Sequence, residues 1–100
     1  SMDERHRIGG TDFVWSTEKA ASTWRQRGIR FEDAASVFMD PLLLLTDASR
    51  NDEARDAVIG FDQLGRLLFV VHIEFEGDCI RTISARAAEP REEASCSMKL

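Results

Sequence analysis

The chain has 100 residues, of which 43% are hydrophobic, and its formal net charge at pH 7 is −5. This length suits one small domain with a single core and excludes a multidomain organisation. There is no signal-peptide core near the start, and the longest apolar run, residues 67–71, is far too short to span a bilayer. We therefore expect a cytoplasmic protein without membrane contact. The negative charge argues weakly against non-specific nucleic-acid binding.

The two ends of the chain are expected to lie outside the domain. Residues 1–11 show no periodicity and are predicted to be disordered. Ser1 before Met2 is typical of a residue left by tag cleavage. The sequence predicts one domain over residues 12–95 and a tail over residues 96–100.

The first half of the domain is predicted to be mainly helical. A short strand over residues 12–15 precedes a helix over residues 17–26, for which Ser16 is a good N-cap and Gly28 a good left-handed terminator. A second helix follows, because apolar side chains recur at helical spacing. These are Phe31, Ala34, Ala35 and Phe38. Asp40 before Pro41 ends this helix, and the two helices are expected to form a hairpin.

The second half is predicted to consist of strands. Residues 42–46 indicate a buried strand, residues 55–61 a second strand, and residues 66–86 two long strands around a tight turn. Pro90 limits a short C-terminal helix near residues 89–94. The predicted fold is α+β, with an antiparallel sheet, an N-terminal helical hairpin packed on one face and a short C-terminal helix.

One face of the first long strand changes from apolar to charged toward the turn. It carries Leu68, Val70, His72 and Glu74. The core should therefore lie under the apolar half of this face. A two-residue loop at residues 76–77 would group Arg81 with His72 and Glu74, whereas a three-residue loop at residues 76–78 would break the group. The sequence favours the two-residue loop.

Charge is unevenly distributed along the chain. Residues 18–30 contain one acid and four bases, whereas residues 31–62 contain eight acids and two bases. The four bases are Lys19, Arg25, Arg27 and Arg30. This asymmetry predicts a basic side and an acidic side.

A series of short motifs runs from residue 13 to residue 93. They are Phe13-Val14-Trp15, Lys19, Arg25, Gly28-Ile29-Arg30-Phe31-Glu32-Asp33-Ala34, Val37-Phe38, Asp40-Pro41, Glu53-Ala54-Arg55, Ile59-Gly60, Arg66, Val70-Val71-His72-Ile73-Glu74 and Ile80-Arg81-Thr82-Ile83-Ser84-Ala85-Arg86. In this order and at these spacings, the motifs resemble the BrnT family of bacterial type II toxins.

This resemblance implies a compact fold related to the RelE toxins and a metal-independent ribonuclease activity that blocks translation. It also implies a small antitoxin partner of the BrnA type. Such antitoxins usually bring a DNA-binding domain, so the toxin alone is not expected to bind DNA. A homodimer without the antitoxin remains an open alternative.

The chain also departs from the family pattern. Gln26-Arg27-Gly28 replaces the usual Lys-His-Gly, and residues 87–93 contain three acids and one base where the family is strongly basic. A second hypothesis is therefore a catalytically weak member that keeps its antitoxin-binding surface. A third is an unrelated domain that dimerises through the exposed sheet or the edge of residues 42–45.

The catalytic hypothesis rests on what RNA cleavage requires. The 2′-hydroxyl must lose a proton, the leaving oxygen must gain one, and the charge on phosphorus must be stabilised. Arg55, Arg81 and Arg86 are candidates for charge stabilisation, because guanidinium donors meet phosphate oxygens in pairs. Glu74 or His72 is the candidate for proton transfer. The alternative for Glu74, His72 and Arg81 is a solvated cross-strand charge cluster.

Further residues are candidates for RNA binding. Lys19 and Arg25 would guide the backbone, and Ser84 would bond a phosphate. Trp15 and Trp24 would either stack on bases or cover the core, and their spacing favours the core. Cys79 and Cys96 lack the spacing of a metal site, so neither a metal nor another cofactor is expected.

Overall fold

A computed structural model describes residues 2–75 and 77–93. In these ranges, six strands form one sheet, and the helices within residues 17–39 pack on one of its faces. The elements are β1 (Asp3–Ile8), β2 (Thr11–Ser16), α1 (Thr17–Arg27), α2 (Phe31–Ser36), a 3₁₀ helix (Val37–Met39), β3 (Leu44–Asp47), β4 (Asp56–Phe61), β5 (Leu67–Phe75) and β6 (Cys79–Ala87). Residues 90–93 are also helical. Within these ranges, every helix is too short or too polar to cross a bilayer.

The strand order across the sheet is β1-β2-β6-β5-β4-β3. β2 pairs in parallel with β6, and every other neighbouring pair is antiparallel. The sheet is thus mixed, and the helices follow two strands instead of beginning the domain. The predicted antiparallel sheet with an N-terminal helical hairpin was therefore wrong, although the domain contains both helices and strands as an α+β protein does.

The first strand, β1, covers residues for which the sequence predicted no regular structure. Its side chains alternate between exposed and half-buried, and Gly9 and Gly10, both with positive φ, connect it to β2. Two such residues suit a tight hairpin turn. His6 stacks on the Trp15 ring with centroids 4.6 Å apart. The strand was missed because it lies at the sheet edge and is mostly polar, so it lacks an apolar signal.

The two residues that cap α1 are those that the sequence predicts, although the helix ends one residue later, at Arg27. The Lys19 backbone amide donates to the Ser16 side chain over 3.3 Å, and Gly28 ends the helix with φ 66°. The buried face differs from the prediction, because Thr23 is buried whereas Trp24 is 47% exposed. Trp15, by contrast, is fully buried, as predicted.

The core lies between the helices and one face of the sheet. Its buried members are Phe13, Trp15, Ile29, Phe31, Ala34, Ala35, Val37, Val58, Leu68, Val70 and Ala85. On β5, Leu68 and Val70 face this core and Glu74 is exposed, so the predicted change along that face is confirmed.

The β5–β6 hairpin has the register of a three-residue loop. Phe75 pairs with Cys79 and Ile73 pairs with Arg81, so the favoured two-residue loop was wrong. Gly77 and Asp78 both have positive φ, a conformation that Asp tolerates better than most residues, while residue 76 lies outside the described ranges. Arg81 is therefore on the opposite face from His72 and Glu74.

A β-bulge further along the hairpin changes which side chains of β6 point to each face of the sheet. His72 pairs with Thr82, but the preceding residue, Val71, pairs with Ser84. The extra residue in β6 shifts its alternation, which places Ser84 and Arg86, like Arg81 before the bulge, on the face away from the helices.

The strand predicted to be buried at residues 42–46 is instead the edge strand β3. Leu42 and Leu45 are 57% and 60% exposed. The predicted C-terminal helix is present at residues 90–93. Residues 94 and 95 and the predicted tail at 96–100 lie outside the described ranges.

Candidate functional site

The face of the sheet away from the helices contains a groove of about 690 Å³. Its floor consists of side chains from β3 to β6. They are Leu44, Thr46, Ile59, Phe69, Val71 and Ser84. Residues 47–50 and Arg55 line the side toward β3, and Arg86 with residues 91–92 lines the side toward β6. The groove therefore has an apolar and hydroxyl-bearing floor between charged sides.

The charges around this groove are mainly positive. Five arginines line it, against the carboxylates of Asp47 and Glu92. The arginines are Arg27, Arg50, Arg55, Arg86 and Arg91. The groove thus carries a formal excess of three positive charges on a chain whose net charge is −5. Such a concentration of one sign in a concave surface attracts polyanions.

Arg86 is the most closely surrounded of these arginines. Its guanidinium carbon lies 4.1 Å from the centroid of the Phe69 ring. Both Nη atoms donate to the Glu92 carboxylate over 2.9 Å. This bond raises the pKa of Arg86 and lowers the pKa of Glu92. The two parallel bonds have the geometry with which arginine also binds phosphate.

Arg55 is held at the start of β4 by the preceding loop. Its backbone amide donates to the Ser49 hydroxyl over 3.2 Å, and its carbonyl accepts from Ala48 over 3.0 Å. One Nη donates to Glu53 over 2.7 Å. The Nε atom is buried and has no hydrogen-bond partner within the described ranges. The loop therefore fixes the backbone and leaves donor capacity on the guanidinium.

The acid on the β3 side is engaged within its own loop. Asp47 accepts hydrogen bonds from the Ser49 amide over 2.9 Å and the Ser49 hydroxyl over 2.6 Å, and these bonds lower the pKa of Asp47. This carboxylate therefore helps to shape the loop that positions Arg55.

The structure brings together three of the eight sequence-predicted site residues. Arg55, Ser84 and Arg86 line the groove. Arg81 lies on the same face of the sheet but outside the groove, where both Nη atoms donate to Asp3 over 3.1 Å. This pairing raises the pKa of Arg81.

The remaining predicted residues lie elsewhere. His72 and Glu74 are on the opposite face, and His72 is fully buried against the Phe38 ring, with centroids 4.9 Å apart. Lys19 and Arg25 are exposed on α1 and are not among the groove-lining residues. The predicted cluster of His72, Glu74 and Arg81 is thus not formed.

Sequence reasoning did not assign Arg27, Arg50 and Arg91 to the site. Arg27 belongs to the basic segment noted above, and its Nη1 donates to the Ala85 carbonyl over 2.9 Å. The Ala85 carbonyl can accept this bond because β2 pairs with β6 only at residues 79–81. The later residues of β6 have no strand on that side and face α1. Arg50 lies in the loop between β3 and β4, and Arg91 lies in the short helical turn after β6. Neither segment has a periodic apolar pattern that would predict its position.

Buried His72 predicts a pH-dependent stability. Burial lowers the pKa of His72 below its usual value of about 6.5, outweighing the opposite effects of the Val70 backbone, Glu74 and Asp56. The Nε2 atom lies 3.9 Å from the Glu74 carboxylate, which is too far for a hydrogen bond. Below about pH 6.5, the unfolded chain binds a proton that the folded chain does not, so we expect the free energy of unfolding to fall by about 1 kcal/mol between pH 7.5 and 5.5.

Urea denaturation at the two pH values measures this difference. His72→Leu should remove most of the dependence, whereas His6→Gln, which changes the other histidine, should retain it. A wild-type stability that is constant or higher at pH 5.5 would contradict the assignment to His72.

The chain thus combines an open sheet face with an arginine-lined groove, whose charge is of the sign that attracts polyanions. Residues 15–92 match the family described as "Ribonuclease toxin, BrnT, of type II toxin-antitoxin system". Because the match spans most of the chain, the protein belongs to the BrnT family, and the resemblance seen in its motifs is confirmed. Membership implies an antitoxin partner. No curated protein matches the chain.

Proposed function

We propose that the groove binds RNA and promotes its cleavage without a metal ion. The observation that carries this proposal is the convergence of Arg55, Ser84 and Arg86 in a groove with an excess of positive charge. In the cell, cleavage would act in the cytoplasm to block translation. An antitoxin of the BrnA type would neutralise the toxin and supply DNA binding to the complex.

The proposed chemistry is transfer of the phosphoryl centre within the RNA chain. The 2′-oxygen loses its proton to water and bonds to phosphorus, while the bond from phosphorus to the 5′-oxygen breaks and that oxygen gains a proton from water. Arg55 and Arg86 stabilise the charge that develops on the phosphate oxygens, a role for which their paired donors are suited. The Ser84 hydroxyl donates a further hydrogen bond. His72 and Glu74 are not assigned to proton transfer, because they lie on the other face.

Cleavage of an unstructured RNA by the purified protein, with EDTA or with Mg²⁺, tests this activity. Equal cleavage in both conditions is expected, since the arginines supply the positive charge. Cleavage only with Mg²⁺ would contradict the metal-independent mechanism. Absence of cleavage in both conditions would contradict the nuclease proposal.

The pairing of Arg86 with Glu92 favours a second candidate function. If the acidic segment permanently neutralises this arginine, the protein would be a weak family member that only binds its antitoxin. Expression of the gene alone in a bacterial host separates the two candidates. Growth arrest supports the toxin, and unimpeded growth supports the binder.

Glu92→Gln is expected to strengthen RNA binding about threefold to tenfold. Glu92 occupies the donors of Arg86 that a phosphate would use, so the neutral amide should compete less well. The affinity of a 2′-O-methyl RNA, which cannot be cleaved at the 2′-oxygen, is measured by fluorescence anisotropy. Glu93→Gln is the matched control, since Glu93 is exposed in the same segment and loses the same charge. Weaker binding by Glu92→Gln alone would instead indicate that Glu92 orients Arg86 for RNA, and unchanged binding would contradict the competition between Glu92 and phosphate.

A further inference from the structure

Trp24 is a large aromatic side chain in an exposed position. Of the two tryptophans, Trp15 is fully buried, whereas Trp24 is 47% exposed on α1. The guanidinium carbon of Arg30 lies 4.3 Å from the centroid of the Trp24 ring. A cation stacked on one ring face leaves an aromatic surface with a positive backing, which suits an electron-rich partner.

Trp24 is also connected to the basic groove. Arg27 follows it by three positions in α1, so the two side chains are neighbours on the helix surface. The Arg27 guanidinium reaches the Ala85 carbonyl and lines the groove. A continuous path therefore leads from the groove over Arg27 to the ring of Trp24.

We propose that Trp24, backed by Arg30, is a stacking platform for one base of a single-stranded RNA whose phosphates lie in the groove. This inference rests on the proposed RNA-binding function and adds a contact for a base to the contacts for phosphate. The surrounding charge favours a nucleic acid as the occupant, because Arg25, Arg27 and Arg30 all lie within six residues of the ring. Stacking on an aromatic side chain accepts any base, so the platform contributes affinity without strict sequence preference.

The fluorescence of Trp24 tests the proposal directly. Because Trp15 is buried, quenching by an added oligonucleotide reports mainly on Trp24. The probes are a 2′-O-methyl RNA hexamer and an abasic sugar–phosphate oligomer of the same length. We expect the hexamer to quench the fluorescence and the abasic oligomer to bind with little quenching. Trp24→Phe should lose the quenching signal.

Affinity measurements by anisotropy complete the test. Trp24→Ala should bind the hexamer about tenfold more weakly and the abasic oligomer with unchanged affinity. The matched control is Leu64→Ala, which removes another exposed apolar side chain, 66% exposed, from the turn before β5. This control should bind both probes as the wild type does.

The outcomes separate this proposal from the groove itself. Tight hexamer binding without quenching, unchanged in Trp24→Ala, would overturn the platform and leave the groove proposal intact. Failure of both probes to bind would overturn both proposals. Unchanged RNA binding by Trp24→Ala together with lost antitoxin binding would assign this surface to the antitoxin and also overturn the platform.

Discussion

Arg86→Gln is expected to reduce RNA cleavage by about 100-fold to 1,000-fold, the loss typical of removing one preorganised donor from a charge-stabilising site. The geometry supports a loss of this size, because Arg86 lines the groove, is held over the Phe69 ring and has two parallel donors, bonded to Glu92 in the structure, that a phosphate would use. Arg55→Gln, on the opposite side of the groove, should cause a comparable loss. Cleavage rates are measured under single-turnover conditions with saturating protein.

Arg81→Gln is the matched control for this prediction. Arg81 lies on the same strand as Arg86 and also forms a paired bond with a carboxylate, that of Asp3, but it lies outside the groove. Its cleavage rate should stay within about threefold of the wild type. Equal losses in Arg81→Gln and Arg86→Gln, with both variants folded by circular dichroism, would contradict the assignment of the site to the groove.

Arg66→Met is expected to lower the free energy of unfolding by about 2–4 kcal/mol. Arg66 bonds to the Asp62 carboxylate through Nε over 2.9 Å and Nη2 over 2.8 Å, and to the Gly28 carbonyl through Nη1 over 2.9 Å. It also lies 3.4 Å from the carboxylate of Asp33. The Asp62 side chain is fully buried, so loss of the arginine leaves its charge without an ion-pair partner and held only by the backbone amides of Leu64 and Arg66. The effect is smaller than for a fully buried pair because the Arg66 side chain is 35% exposed.

The same network explains why this loss should be global. Arg66 precedes β5, whereas Gly28 and Asp33 lie at the end of α1 and within α2. The arginine thus joins the helical layer to the turn between β4 and β5. Arg81→Met is the control, since the side chain of its partner Asp3 is 48% exposed, and the loss of Arg81 should lower the free energy of unfolding much less than the loss of Arg66. Urea denaturation measures both variants, and equal stabilities would contradict the role of Arg66.

Local signals predicted the elements whose ends depend on nearby residues. Ser16 and Gly28 define α1 because a cap acts within one helical turn, and the period-two pattern identified β5 and β6. The parallel pairing of β2 with β6 could not be predicted in this way. It joins segments more than 60 residues apart, and no repeating pattern in either strand specifies its partner.

The site was predicted in part for a similar reason. Arg55 and Arg86 were identified from their chemistry and position, and both lie in the groove. Glu74 and His72 were grouped with Arg81 on the assumption of a two-residue loop. The three-residue loop placed Arg81 on the opposite face, and the bulge after Thr82 placed Ser84 and Arg86 there as well. A one-residue change in strand register moves each side chain to the opposite face of the sheet. The sequence does not specify this register.

The central claim, that RNA lies against the sheet face opposite the helices, is tested most directly by NMR. Titration of the ¹⁵N-labelled protein with the uncleavable hexamer reports on the Nε–H signals of individual arginines. We predict that the signals of Arg55 and Arg86 shift on binding, while that of Arg81 and the backbone amide of Glu74 stay unchanged. Shifts at Arg81 and Glu74, with Arg55 and Arg86 unaffected, would contradict this claim. They would place the RNA-binding site at the turn end of the β5–β6 hairpin.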